Sequence, residues 1–178
     1  WPRLVNAAAE VAELPLHFDD TPVITPQELR VKVRRAKKDF DIKLLVLDYM
    51  QLMSTVTIRG RSREQEIAEV SRTMKAIARE MNIAVIALSQ LNRELEKRPN
   101  KRPIMSDLRE SGAIEQDAEL ILFLYRDEIY NQEEDNPEKG VAEIIIGKNR
   151  HGICPATVKT VFKDKYQTFK PLARYGNE

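Results

Sequence analysis

The sequence predicts an α/β fold built around a pair of parallel strands. Three observations carry that reading. Two unbroken apolar runs, Leu44-Leu45-Val46-Leu47 and Ile83 to Leu88, suit strands buried on both faces. Between them, Ile67, Val70, Met74, Ile77 and Met81 recur at gaps of three and four, the spacing of an amphipathic helix. Each strand ends on polar residues, Asp48 after the first and Ser89-Gln90 after the second, where open α/β sheets place ligands. Two strands joined by one crossover helix form a parallel unit.

The elements follow in order. Leu4, Val5, Ala8, Val11 and Ala12 recur at helical spacing and read as the tail of a helix. Leu16 to Phe18 is a short strand candidate, closed by a turn at Asp19-Asp20-Thr21-Pro22. Thr25-Pro26-Gln27-Glu28 predicts a helix start, with Thr25 as cap, Pro26 in the first position and Glu28 completing a capping box. Leu29, Val33 and Ala36 give that helix an apolar face, and the cations from Arg30 to Lys38 read as its solvated side. Ser62-Arg63-Glu64-Gln65 is a second capping box, opening the crossover helix that Asn82 ends. The stretch from Leu91 to Asp107 is charged and proline-punctuated. Its cations Arg93, Lys97, Arg98, Lys101 and Arg102 make a local basic surplus. Ile114 to Glu119 reads as a short helix, Leu120 to Tyr125 as a strand, and Asn131 to Gly140 as a polar, mobile excursion. Val141 to Gly147 is another strand. Thr157 to Phe162 and Tyr166 to Phe169 form a terminal hairpin.

Length and composition bound the function classes. A chain of 178 residues is one domain or a piece of a larger one. Lys plus Arg number 29 and Asp plus Glu 28, a net charge of +1, which excludes a globally basic nucleic-acid binder but not a local patch. Two histidines and the single Cys154 make a zinc site improbable and an internal disulfide impossible. No run of 18 apolar residues occurs, so no membrane span is expected, and a soluble, reducing compartment is the default. The opening Trp-Pro-Arg-Leu carries no initiator methionine and reads as a cut through a longer chain.

The candidate chemistry sits at the strand ends. An aspartate closing an apolar strand, such as Asp48, fits a carboxylate that orders magnesium beside phosphates; it fits a strand-end turn residue or a helix cap as well. Gln90 fits an amide that bonds a terminal phosphate, or a polar residue that merely closes a strand. In Lys148-Asn149-Arg150-His151-Gly152 the two cations can point to one side of extended backbone and stabilise charge on a transferring phosphoryl group, or be ordinary surface charge. No G-x-x-x-x-G-K-[ST] phosphate loop occurs in the sequence.

Four segments together resemble the bacterial replicative DNA helicase family, the DnaB family. They are Leu45-Val46-Leu47-Asp48-Tyr49-Met50-Gln51-Leu52, Val85-Ile86-Ala87-Leu88-Ser89-Gln90-Leu91-Asn92-Arg93, the block from Ser106 to Ala118, and Gly147-Lys148-Asn149-Arg150-His151-Gly152. The resemblance implies a partial RecA-like P-loop NTPase domain over residues 1–178, with its core at about 15–172. Its sheet would be mostly parallel and flanked by helices, with a terminal hairpin, and the phosphate-loop strand would be missing. That loss should leave an open strand edge and apolar surface. The implied activity is an ATP-dependent helicase motor that translocates on single-stranded DNA and unwinds duplex at the replication fork, as a homo-hexamer that meets primase and a helicase loader in the bacterial cytoplasm.

The resemblance also implies site roles. Asp48 would be the Walker B aspartate, holding Mg2+ through water beside ATP. Gln90 would sense the γ-phosphate, and Lys148 and Arg150 would reach the ATP of a neighbouring subunit. Arg109, Glu110 and Gly112 would meet the DNA backbone, and Thr55 to Arg61 would be a first channel loop. Asn149 and His151 stand where the family commonly has glutamine and asparagine. Without the phosphate loop and the carboxylate that follows it, the chain alone is expected to be inactive. Other readings are a different RecA-like motor (strand exchange or a phage primase-helicase), a non-enzymatic interaction module, or a metal-dependent nuclease using Asp48 and Glu110.

Overall fold

The computed structural model describes residues 1–53 and 62–172, with 109–111 described in backbone only. Thr55 to Arg61 therefore lies outside the described residues. The crossover helix organises the rest. It is α3, Arg63–Met81, and it starts where the sequence places it: the Ser62 hydroxyl accepts the Gln65 N–H while Gln65 Oε1 accepts the Ser62 N–H. It stops where Asn82 turns left-handed, φ 49°. Its stripe of Ile67, Val70, Met74 and Ile77 is buried. Removing each such side chain from water contributes about 1.5–3 kcal/mol.

That stripe packs two partners together. One is α2, Pro26–Phe40, opened by the expected Thr25–Glu28 capping box and contributing Leu29 and Val33. The other is one face of a parallel pair, β1 (Leu44–Leu47) and β2 (Ala84–Ala87), in register from Leu44 opposite Ala84 to Leu47 opposite Ala87. Leu45, Leu47, Val85 and Ala87 face the helices. Ahead of them α1, Pro2–Ala12, is helical as expected but buries no residue.

A second sheet follows. After α4 (Gly112–Asp117) come β3 (Leu120–Tyr125), β4 (Val141–Asn149), β5 (Ala156–Lys163) and β6 (Thr168–Pro171), an antiparallel meander. Ile121 and Phe123 point inward onto Leu108, Met105 and Ile145. Ser71 on α3 donates to Asp117 at 2.8 Å and ties the two halves together.

Several expectations need correction. The α/β class with a parallel pair and helices stands, but among the described residues one strand pairing is parallel and three are antiparallel, so the sheet content is not mostly parallel. The apolar runs are covered on one face, not both: Val46, Ile86 and Leu122 are each about half exposed. The helices among the described residues that pack on β1 and β2 all lie on one side, so alternate residues of each run face outward. Among the described residues β2 pairs with β1 alone and β3 with β4 alone, which leaves the expected open edges and apolar surface. Leu16 to Phe18 forms no strand; it finds no ladder partner among the described residues, although His17 stacks on Phe40. The 131–140 excursion is held by buried Asn136, which donates to Asp127 and to the Asn131 carbonyl. Strand β4 runs two residues beyond Gly147 and takes in Lys148 and Asn149, because both still pair with β3. Tyr166 lies in the turn before β6, not in the strand.

Gly147 lies hard against the core. A Cβ there would overlap the Phe123 ring and sit 2.9 Å from the Met105 sulfur. Phe123 is a buried core ring and cannot swing away. Gly147→Ala is therefore expected to destabilise the protein by about 1–3 kcal/mol, read as a lowered Tm, whereas Gly152→Ala, which meets only the flexible end of Asn149, should melt close to wild type.

Candidate functional site

Parallel pairing puts both carboxyl ends of β1 and β2 at one edge. Asp48 follows Leu47 and is exposed; Gln90 follows β2 by three residues and is exposed at the same end. The two ends are laced beyond the strands. Leu88 N–H donates to the Leu47 carbonyl and Met50 N–H donates to the Leu88 carbonyl, both at 2.9 Å. The Gln51 side chain then takes over. Its Oε1 accepts the Gln90 N–H at 3.2 Å, and its Nε2 donates to Ser89 Oγ at 2.9 Å and to the Gln90 carbonyl at 3.4 Å. The Gln51 carbonyl accepts from Arg63, the first residue of α3, at 2.6 Å.

Lys148 and Arg150 do reach one common patch, as extended backbone allows. Lys148 Nζ donates to the Glu115 carbonyl at 2.5 Å and to that of Gln116 at 3.3 Å. These carbonyls lie at the C-terminal end of α4, where backbone dipoles favour a cation. Arg150 donates to Glu119 at 3.1 Å and to the Gln116 carbonyl at 3.4 Å. Glu119 also pairs with Lys75 on α3. The Lys75 hydrogen bond, with the nearby Arg150 charge, holds the Glu119 carboxyl below its ordinary pKa.

This patch is not at the Asp48 edge. Gln51 meets α3 at Arg63, while Glu119 meets it at Lys75, twelve residues on, or about 18 Å along the axis at 1.5 Å per residue. The structure thus brings Asp48 and Gln90 together and sets Lys148 and Arg150 apart.

The third group lies on the turn before α4. Residues Met105–Ser111 form a 3-10 stretch carrying Arg109 and Glu110, and Gly112 opens α4, exposed and in ordinary helical conformation. Asp107 anchors the turn. It is buried, accepts the Ile104 N–H and an Arg98 N–H at 2.8 Å each, and its carbonyl accepts the Asn92 N–H at 3.0 Å.

The basic surplus upstream is largely consumed by structure. Arg98 pairs with Asp107. Arg102 binds Glu143 through two nitrogens, Nε at 2.9 Å and Nη2 at 2.5 Å, and Glu143 is buried on β4. The hydrogen bond to Glu143 raises the Arg102 pKa still further. Arg102 also lies over the Tyr125 ring at 5.5 Å, Lys101 lies over Tyr130, and Lys97 pairs with Glu94. Burial, with a hydrogen bond to Asp127, pushes the Tyr125 hydroxyl up to about 12. Sequence reasoning missed Gln51, Asp107, Glu119 and Glu143. The available signal was a cation-rich stretch in a nearly neutral chain, which requires carboxylates somewhere to meet it.

The chain matches the DnaB-like helicase C terminal domain family over residues 1–171. It is 44% identical to the replicative DNA helicase DnaB of Geobacillus stearothermophilus over 178 residues, all of this chain and 38% of that protein. It is 48% identical to the replicative DNA helicase DnaB of Pasteurella multocida (strain Pm70) over 175 residues, 97% of this chain and 37% of that protein. The chain thus spans little more than a third of these relatives. Among solved structures it superposes on a DnaB-like replicative helicase described with its interactions with primase, with a TM-score of 0.88 at 38% identity, covering 97% of this chain and 41% of that one. A second solved structure, an ATPase domain, gives the same score and identity, with 60% of that chain covered. The RecA-like α/β expectation holds. No helix among the described residues is long and apolar enough to cross a membrane.

Arg102→Ala would leave Glu143 a buried carboxylate without its partner. Because Arg102 is itself half-exposed, the loss should be about 1–3 kcal/mol in denaturant melts, and the double variant with Glu143→Leu should recover part of it.

Proposed function

Because the chain belongs to the family of DnaB-like helicase C-terminal domains, we propose that it forms part of an ATP-driven replicative DNA helicase motor. The whole protein translocates on single-stranded DNA as a homo-hexamer and unwinds duplex at the fork. It works in the bacterial cytoplasm, with primase and a loader as partners. One observation supports this reading best: Asp48 and Gln90 share a sheet edge, while Lys148 and Arg150 sit on a patch met about 18 Å further along α3. A phosphoryl group beside Asp48 is then met by cations from a neighbouring copy.

The residues suit ATP and magnesium in a specific way. Among the described residues no three His, Cys, Asp or Glu side chains gather to cage an ion. Asp48 stands exposed at a strand tip with no hydrogen bond among the described residues, which suits a single carboxylate that holds Mg2+ through water. Bound ATP with magnesium supplies the phosphoanhydride whose hydrolysis drives movement. Gln90 donates its amide toward the terminal phosphate. Arg150, with Lys148 beside it, leaves the Glu119 patch to stabilise negative charge at a neighbour's site. Arg109 pairs with a DNA phosphate, and Glu110 and Gly112 shape the turn that presents it.

A mixing experiment tests the geometry. Asp48→Asn and Arg150→Ala are each expected to cut ATP turnover of the whole protein by at least about 100-fold. Subunits of the two variants, mixed one to one and reassembled, should regain up to about a quarter of wild-type turnover, since each intact site needs one subunit of each kind in order. No recovery would place Arg150 at its own chain's nucleotide. The 178-residue chain, which contains no G-x-x-x-x-G-K-[ST], is expected to hydrolyse no ATP by itself, and measurable turnover by it would contradict that.

A further inference from the structure

The Gln90 main chain lies past the end of β2, beyond the parallel ladder. Among the described residues its N–H has one partner, Gln51 Oε1 at 3.2 Å, and its carbonyl is met by Gln51 Nε2 and Ser89 Oγ, each at 3.4 Å. One side-chain amide thus stands in for a further rung of backbone pairing between the two strand ends. Gln51 is half-buried at the sheet tip, outside the hydrophobic core. Its own carbonyl is gripped by Arg63 at the start of α3, so the amide is aimed from a fixed base. Two residues beyond Gln90, the Asn92 N–H binds the carbonyl of Asp107, itself two residues before Arg109.

We propose that Gln51 is a positioning residue that sets the Gln90 main chain against the Asp48 strand and so couples a change at Gln90 to the turn carrying Arg109. This rests on the reading of Gln90 as the residue that meets the terminal phosphate. The Gln51 amide is already occupied by Ser89 Oγ and the Gln90 main chain, so its role is to position Gln90. Among the described residues its amide is the only group that both donates to and accepts from the Gln90 backbone, so its loss lets that backbone drift while the strands, α3 and Asp48 stay in place. The consequence is a motor that binds ATP normally and responds poorly to DNA.

The test uses the full-length protein that carries this chain and two variants, Gln51→Met, which keeps length without hydrogen bonding, and Gln51→Ala. Turnover is measured against ATP concentration with and without single-stranded DNA. The ratio of kcat with DNA to kcat without it should fall about tenfold in both variants. The KM for ATP should move by less than about threefold, and Tm by only a few degrees. Wild-type DNA stimulation in either folded variant overturns the proposal. Failure of both variants to fold overturns it too, because it would make Gln51 a plain structural residue. If the wild-type protein itself shows no DNA-stimulated turnover, the helicase reading fails and the coupling role fails with it. Loss confined to the variants separates the two cases.

Discussion

Parallel strands cannot be joined by a tight turn; the chain must travel the full length of the sheet before it can start the second strand. In this protein α3 makes that journey, and the position of nearly every polar group at the sheet edge depends on it. The helix buries Ile67, Val70, Met74 and Ile77 against β1 and β2, which holds the strands in register from Leu44 opposite Ala84. Once that register is set, Asp48 and Gln90 emerge at the same edge by topology. Lacing by Met50, Leu88 and Gln51 then refines their separation with hydrogen bonds of 2.9 to 3.2 Å. The same helix carries Lys75, which meets Glu119 and fixes where the Lys148 and Arg150 patch lies.

Ion pairs with buried carboxylates hold the stretch between β2 and α4 in place. Asp107 and Glu143 are both buried, and each is satisfied by an arginine from the stretch between β2 and α4. Such pairs contribute little net stability, because desolvation offsets much of the attraction. Their effect here is positional. Asp107 joins Arg98, the Ile104 N–H and the Asn92 N–H at one point, so a segment with little regular structure is held at a defined place beside the end of β2. The arginines that do this cannot also serve as free phosphate contacts.

The outward face of the sheets carries a different constraint. Leu44, Val46, Ile86 and Leu88 on one pair, and Leu120, Leu122 and Leu124 on the other, are exposed. These residues alternate with the inward ones, so they share a face within each strand. Strands of this composition are ordinarily covered on both sides. With unpaired edges on β2 and β3 among the described residues, the exposed apolar rows are a self-association hazard for the isolated chain.

Elements whose cause is local were legible in the chain alone. Capping at Thr25 and Ser62, the left-handed stop at Asn82, and the apolar stripe of α3 all follow from short-range chemistry, and each stands within a residue or two of its expected place. The polar strand ends at Asp48 and Gln90 were legible for the same reason, and the four family segments carried the RecA-like class. Partnerships between distant residues came only with packing. Arg102 and Glu143 are 41 positions apart, and Gln51 and Gln90 are 39 apart. No periodicity links such pairs; they meet because separate strands and turns are packed side by side. For the same reason a buried-looking run could not reveal that one of its faces lies open: coverage depends on which helices pack on which side, and that is a property of the assembled layers, not of any run of residues.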